Sequence, residues 1–286
     1  MHHIETEDYR LSVRYIHETV SELLMLLPAN MRYEEQIRAF ASEDRQREWL
    51  GVRVLLQEMC GAHKEICYTP RGNPVLADKT SHISISHSRG FVAVMLSESH
   101  EVAIDIERYA QNDSDGRGLS DPCSLSDLKP EDWLMRRGIQ LNRLRQRFLP
   151  ELEDAIDVQD RQLYLTICWS AKETVYKLHG QIKQVSLQAT DMRIVPFTCH
   201  KQGTLTIQLP NSNTHSSKVV GQFPQEATSC FQETSSRSQE ITLHPQETAL
   251  HPQENGSQYA VFYQATNEYV LTYLAHPDTH EKSFTE

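Results

Sequence analysis

The chain changes its hydrophobic period after residue 61, and this change limits the folds that it can adopt. Apolar residues recur at helical spacing over positions 16–61, and the pattern ends at Gly61, a residue type that closes helices in the left-handed conformation. The stretch "SHISISHS" at 81–88 alternates instead, with Ile83 and Ile85 on one face, which is typical of a half-buried strand. The first part of the chain is therefore predicted to be a helical region followed by a sheet.

Three consecutive strands are predicted after the helical region. They cover 81–88, 91–96 and 102–107, and the segments between them, "RG" and "SESHE", have the composition of turns. Because such short connections usually join neighbouring strands, we expect a three-stranded antiparallel meander.

The second half of the chain repeats this order of helix and strands. Helices are expected at about 129–156 and 160–179, after a polar connection at 110–127. Strands follow in "DMRIVPF", "GTLTIQL" and "QYAVFYQATNEYVLTYLA", and the last contains two strands around a "TNE" turn. We therefore expect the α+β class, with an N-terminal subdomain at 1–108 and a C-terminal subdomain at 109–286.

One segment of the C-terminal half has a different composition. Between residues 223 and 257, fragments such as "HPQETAL" and "HPQENGS" repeat a Gln-Glu core with Pro, Ser and Thr and little apolar content. Because such a composition buries too little apolar surface to become ordered, we predict a disordered low-complexity loop.

Charge and composition exclude several classes of partner. With 39 acidic and 28 basic residues, the net charge of -11 repels nucleic acids and anionic membranes. No apolar run reaches the length of a membrane span, and the N-terminus "MHHIETED" lacks the features of a signal peptide. The six cysteines form no CxxC pair, so reduced thiols are expected. We therefore expect a cytoplasmic protein with no nucleic-acid or membrane partner.

Two carboxylates lie two residues apart in "VAIDIERY". In a strand, Asp105 and Glu107 project from one face, while Ile104 and Ile106 enter the core from the other. Like charges this close repel each other unless a cation lies between them, and oxygen-only ligands suit magnesium. The alternatives are an exposed strand face or a pairing of either carboxylate with Arg108.

The segment "SISHSRG" places His87 at a strand end between Ser86 and Ser88 and before Arg89. Hydroxyls, a ring nitrogen and turn amides in this arrangement predict a phosphate contact. A Ser-His nucleophile pair is a second interpretation, although no G-x-S-x-G elbow is present. A lone histidine is most commonly a structural hydrogen-bonding residue.

The segment "CWSAKETVYKLHG" is predicted to be a helix in which Glu173 and Lys177 share a face, one turn after Trp169. A solvated ion pair explains this spacing equally well. A polyanionic ligand would need a local basic pocket because the net charge is negative. The candidate side chains for such a pocket, most of which are also explained as ordinary solvated charges, are Arg45, Arg47, Arg53, Arg71, Lys79, Lys172, Lys177 and Lys183.

In this order, the segments resemble the motifs of the 4'-phosphopantetheinyl transferase superfamily. Its members carry G-K-P, S-x-S-H-S, [VI]-G-[IV]-D-[IV]-E and W-S-x-K-E-[AS]-x-x-K, and the counterparts here are "RGNP", "SISHS", "VAIDIE" and "WSAKETVYK". The resemblance covers about residues 40–200 and extends to the long helical N-terminal part of the two-domain type. Asn73 replaces the lysine of the first motif, Ala103 the glycine of the third, and Thr174 the usual Ala or Ser of the fourth.

The resemblance implies a fold and an activity. The fold is an intramolecular pseudodimer of two similar subdomains, each a small antiparallel sheet packed against a long helix, with coenzyme A between them. The activity is magnesium-dependent transfer of the phosphopantetheine arm of coenzyme A to a serine of an acyl or peptidyl carrier protein, which releases 3',5'-adenosine bisphosphate. Manganese is an alternative metal. A monomer is implied because the two halves are fused.

The resemblance also implies roles for individual residues. By similarity, Asp105, Glu107 and Glu173 ligate the metal, and Glu173 accepts the proton of the incoming serine. Lys177 would stabilise charge that develops on the pyrophosphate. The expected coenzyme A contacts are the pyrophosphate at His87, the phosphate end of the nucleotide at Ser86, and the 3'-phosphate and adenine side at Arg53 and Arg71, with Arg45 as a further candidate.

Two other classes of protein remain as alternatives. A degenerate homologue would bind coenzyme A or a carrier protein without catalysis, and Asn73 and the repeat loop favour it. A different metal-dependent phosphoryl enzyme, such as a nucleotide hydrolase, would use the same carboxylates without a protein acceptor.

Overall fold

The computed structural model describes residues 1–108, 161–180, 192–209 and 257–277. The predicted connection at 110–127, the predicted helix at 129–156 and all but the last residue of the repeat loop at 223–257 lie outside these residues. The described part is α+β with antiparallel sheets, as the sequence predicted.

The helices of the N-terminal region begin and end at residues suited to those positions. Helix α1 (Val20–Met25) starts with a capping box between Thr19 and Glu22. After a short 3-10 turn (Ala29–Met31) and α2 (Tyr33–Ile37) comes α3 (Glu43–Cys60), the longest of the described helices. Ser42 caps the start of α3, and Gly61 closes it with φ of 64°. The predicted helical end at Gly61 is confirmed.

Seven strands lie within the first 108 residues: β1 (His2–Glu5), β2 (Arg10–Tyr15), β3 (Ile66–Tyr68), β4 (Pro74–Leu76), β5 (His82–Ser88), β6 (Phe91–Ser97) and β7 (His100–Arg108). Four of them form a sheet in the order β1-β2-β6-β5, and β3 and β4 form a separate hairpin. The sequence interpretation did not predict β1 and β2.

The predicted meander is correct for its first two strands and wrong for the third. Strands β5 and β6 pair antiparallel, and Arg89 and Gly90 turn the chain with φ of 48° and 86°, as a tight two-residue hairpin turn requires. The other edge of β6 is occupied by β2, so β7 has no place beside it. Strand β7 joins a second sheet instead.

The second sheet has five strands in the order β7-β11-β10-β9-β8. Its other strands are β8 (Arg193–Ile194), β9 (Gln202–Gln208), β10 (Gln258–Ala265) and β11 (Tyr269–Pro277), which agree with the strands predicted from the sequence. Helix α4 (Arg161–Val175) confirms the second predicted helix of this half and is followed by a π-helical turn (Tyr176–Gly180).

The described residues divide into two compact units. The first comprises 1–106 and 273–277, and the second comprises 107–108, 161–180, 192–209 and 257–272. The core of the first unit forms where α3 packs on β6, around Leu50, Leu55 and Val94. Among the described helices, none combines the length and the apolar character needed to cross a membrane.

Candidate active site

Strand β7 carries the two acidic side chains that the sequence singled out. Only 5% of Asp105 is exposed, whereas Glu107 is half-buried. Ile104 and Ile106 are buried on the opposite side of the strand, as expected. Because Asp105 is buried, the alternative of an exposed strand face does not hold at this position.

Two serines of β5 hold the backbone of β7. The hydroxyl of Ser84 accepts the N–H of Ile104 at 3.1 Å, and the hydroxyl of Ser86 accepts the N–H of Ile106 at 3.2 Å. Both serines are buried, although the sequence pattern placed them on the polar face of a half-buried strand. They connect β5 to β7 by side-chain hydrogen bonds.

Ser86 makes a second bond that Ser84 does not share. Its hydroxyl donates to Oδ1 of Asp105 at 2.9 Å. The single hydroxyl proton of Ser86 is therefore directed at the carboxylate, and an oxygen lone pair is directed at the backbone of β7. The sequence resemblance implies a nucleotide phosphate contact for this residue, and in this structure the hydroxyl orients Asp105.

The second unit brings together two segments that are far apart in the chain. Nε1 of Trp169, on α4, donates to Oε1 of Glu107 at 3.2 Å across a separation of 62 residues. Glu173 lies four residues after Trp169 within the same α-helix, so both project from the same face. The "VAIDIE" and "WSAKE" segments therefore meet at Glu107.

Buried hydroxyls fix the rotation of α4. Ser170 and Thr174, one helical turn apart, both reach Thr272 on β11, with oxygen–oxygen distances of 2.8 Å and 2.6 Å. Thr174 also donates to the carbonyl of Ser170 at 3.0 Å. All three side chains are fully buried. Thr174 thus contributes to seating this helix.

Two features of α4 and the turn after it differ from the expectation. The regular α-helix ends at Val175, and Lys177 lies in the π-helical turn, so Glu173 and Lys177 do not belong to one uninterrupted α-helical face. Lys177 is half-buried. Lys172, one of the candidates for a basic pocket and otherwise explained as a solvated charge, is fully buried.

His87 lies in a group of charged side chains in the first unit. Nη1 of Arg45 is in hydrogen-bond contact with Nε2 of His87, and Nδ1 of His87 is 3.0 Å from Oε2 of Glu48. Nδ1 of His87 has no partner that meets hydrogen-bond geometry, so this second contact is electrostatic rather than a well-formed hydrogen bond. Arg45 itself is 3.4 Å from Glu48, and both lie on α3.

Glu48 is a residue that the sequence interpretation missed. Burial raises the pKa of its carboxyl group, but contacts with His87, Arg45 and the N–H of Gly90 outweigh burial and hold that pKa below its ordinary value. The carboxylate is therefore charged at neutral pH inside the first unit. Its position three residues after Arg45 is the one signal in the sequence that connects it to the basic residues.

Two other arginines of α3 serve packing. The guanidinium of Arg53 lies over the rings of Trp49 and Tyr33, donates to the carbonyl of Trp49 at 2.9 Å, and is only 4% exposed. Burial lowers the pKa of Arg53, and the nearby hydroxyls of Tyr68 and Tyr33 oppose that effect. Arg47 donates to the backbone carbonyls of Glu18 and Ile16.

Arg71 lies in the loop of the β3–β4 hairpin and is exposed. Thr69 closes this loop, since its backbone pairs with Asn73 and Gly72 and its hydroxyl accepts the N–H of Asn73 at 3.1 Å. The segment that resembles the G-K-P motif is therefore a tight turn with Arg71 on its surface.

The structure brings some predicted residues together and not others. Ser86 meets Asp105, Trp169 meets Glu107, and Arg45 meets His87. Within the ranges that the structure describes, no three His, Cys, Asp or Glu side chains form a ready-made metal cluster.

Comparison with known proteins gives no assignment, because neither models of protein families nor curated proteins match this chain. The geometry of the site and the motifs in the sequence are therefore the basis for its function.

Proposed function

We propose that this protein is a 4'-phosphopantetheinyl transferase that moves the phosphopantetheine arm of coenzyme A onto a serine of an acyl or peptidyl carrier protein. The hydrogen bond between Trp169 and Glu107 carries the proposal. This bond joins the two most specific motifs of the sequence. The alternative, a solvated ion pair between Glu173 and Lys177, would not require a contact between the helix and Glu107.

The chemistry of the donor set fits magnesium or manganese. Asp105, Glu107 and Glu173 supply only carboxylate oxygens, which hard divalent cations prefer. Neutral donors orient the first two, Ser86 at Asp105 and Trp169 at Glu107, as outer-shell partners orient metal-ligating carboxylates. When bound, the ion would neutralise charge on the pyrophosphate of coenzyme A.

The side chains of this chain supply the remaining steps. Glu173 takes the proton of the carrier serine hydroxyl, which then attacks the phosphorus atom that bears the arm. Lys177 stabilises negative charge on the departing adenosine bisphosphate. His87 and Arg45 bind phosphate oxygens, and exposed Arg71 contacts the 3'-phosphate. Arg53 is not included among these contacts because it is buried against Trp49.

The same proposal extends to the architecture and location. The two units are the halves of an intramolecular pseudodimer in a cytoplasmic monomer. Each half includes antiparallel strands and one long helix, α3 with 18 residues and α4 with 15, which supports the proposal.

Intact-protein mass spectrometry tests the activity directly. Purified apo carrier proteins of the fatty-acid, polyketide and peptide types are incubated with the protein, coenzyme A and magnesium. We expect a mass gain of one phosphopantetheine on a carrier, which chelation with EDTA abolishes. Asp105→Ala and Glu173→Ala should lose the gain, whereas Glu43→Gln, an exposed acidic residue at the start of α3, should keep it.

Two results would overturn the proposal in favour of a different function. If coenzyme A binds but no carrier gains mass, the degenerate binding protein replaces the transferase. If coenzyme A is cleaved without any carrier protein, a metal-dependent hydrolase replaces the transferase as the proposed function.

A further inference from the structure

The contacts of His87 fix where its proton lies. The guanidinium of Arg45 can only donate hydrogen bonds, so Nε2 of His87 must accept in their contact. The ring proton then occupies Nδ1, on the side of Glu48.

We infer that anion binding at this cluster is coupled to the uptake of one proton by His87, with Glu48 as the positioning residue that stabilises the resulting imidazolium. The inference rests on the proposed function, because the anion is taken to be a phosphate group of coenzyme A. It adds to that function a proton-linked step and a role for a residue outside the family motifs.

The exposures of the two charged partners explain the coupling. The side chain of Arg45 is 39% exposed, whereas that of Glu48 is 5% exposed. An arriving phosphate can draw Arg45 away from Nε2, but it cannot reach Glu48. The buried carboxylate would then lose part of its compensating charge, which is costly in a poorly solvated environment.

Protonation of His87 restores the positive charge that compensates the carboxylate of Glu48. A proton from solvent binds the lone pair of Nε2 that Arg45 has vacated, and no other bond forms or breaks. The ring then donates from Nε2 to the phosphate and presents its other N–H to Glu48, so that one positive charge lies between two negative groups.

The charged groups that the structure places at His87 come from one element. Glu48 and Arg45 both lie on α3. Strand β6 presents Val92 at the paired register position, which does not titrate. On β5 itself the neighbours of the ring are Ser86 and Ser88, and Arg89 follows in the turn.

Calorimetric titration of coenzyme A at about pH 8 tests the inference, because an imidazole without a bound anion is then ordinarily neutral and phosphate is fully ionised. Repeating the titration in buffers with different ionisation enthalpies gives the number of protons taken up. We expect close to one for the unmodified protein, well under half for Glu48→Gln, and none for His87→Gln.

Glu43→Gln is the matched control, since it makes the same change on an exposed residue of α3 and should retain full uptake. Circular dichroism checks that each variant is folded. If Glu48→Gln does not fold, the difference in proton uptake between the unmodified protein and His87→Gln tests the inference. Equal proton uptake by the unmodified protein and His87→Gln, or uptake that Glu48→Gln leaves unchanged, would refute the inference. Failure of the unmodified protein to bind coenzyme A would instead remove the proposed function.

Discussion

Asp105 and Glu107 are each held by a neutral hydrogen-bond donor, and the two donors come from different elements, β5 and α4. Their spacing of two residues predicted that these carboxylates share one side of a strand, because side chains alternate between the two faces of a strand. It did not predict the donors, since a serine or tryptophan far away in the chain gives no local signal. Because distant contacts give no local signal, the sequence also did not reveal Glu48. For the same reason it predicted a coenzyme A contact for Arg53, which is buried by Trp49 and Tyr33.

Trp169→Phe removes the indole N–H and keeps an aromatic ring. If the proposed transfer reaction occurs, the magnesium concentration for its half-maximal rate should rise about tenfold, because outer-shell donors typically contribute at least that much to metal affinity. Titration of the initial rate with magnesium measures it. Trp49→Phe makes the same change in the first unit and should leave the magnesium requirement unaltered. A normal requirement in Trp169→Phe would argue against a positioning role for the indole.

Ser84 and Ser86 allow a matched comparison. Each accepts one backbone N–H of β7, but only Ser86 also reaches Asp105. Urea denaturation should show a loss of about 1 kcal/mol for Ser84→Ala, which removes one buried hydrogen bond, and about 2 kcal/mol for Ser86→Ala, which removes two. Only Ser86→Ala should raise the magnesium requirement. Equal magnesium requirements in the two variants would show that the bond to Asp105 has no role in metal affinity.

The stability that Glu48 provides should depend on pH. Its pKa is lowered in the folded state, so it stabilises the fold above the ordinary value of 4.5, and that contribution disappears as the pH falls through the folded-state pKa. Glu48→Gln should therefore lower the free energy of unfolding at neutral pH, and the difference from the unmodified protein should shrink well below pH 4.5. Urea denaturation across this range measures it, and a difference that does not vary with pH would contradict it.

At the scale of elements, local signals predicted the structure well and distant pairings poorly. Helix α3 ends at Gly61 and the β5–β6 hairpin turns at Arg89 and Gly90, and both signals are visible within a few residues. No comparable local signal marks the ends of the short strands β1 and β2. The pairing of β7 depends on β2 and β11, which lie far away in the chain, so the meander was a reasonable but wrong choice.

Helix α3 approaches the end of β2 so closely that Gly51 has no room for a side chain. A methyl group there would lie 2.5 Å from Cδ1 of Ile16. Gly51→Ala should therefore destabilise the protein by about 1–3 kcal/mol, although alanine is the better helix former. Denaturant unfolding measures this loss, and the loss should be smaller in an Ile16→Val background. A stabilising effect of Gly51→Ala would contradict this close packing of α3 on Ile16.

At the scale of the whole molecule, the first unit contains residues from both ends of the described chain. Residues 273–277 belong to it, and the rings of Tyr9 and Tyr273 lie 5.9 Å apart. The sequence does not show that residues 273–277 belong to the first unit, because its pattern predicts a subdomain that ends at residue 108.

A fragment of residues 1–108 should therefore fail to unfold cooperatively, because β7 lacks the strand that lies next to it in the sheet. Thermal unfolding followed by circular dichroism measures this. The full chain, melted under the same conditions, is the control. A sharp transition in the fragment, close to that of the full chain, would show that 273–277 is dispensable for the first unit.

The late position of β11 has a consequence for synthesis on the ribosome. The first unit emerges early, yet its remaining strand segment is translated only after the whole of the second unit. Until then β7 presents an open edge, the kind of surface that promotes misassembly between nascent chains. The sheet that contains β7 can therefore form only after β11 has been translated, and we expect the yield of native protein to depend on chaperones that shield β7 during this delay.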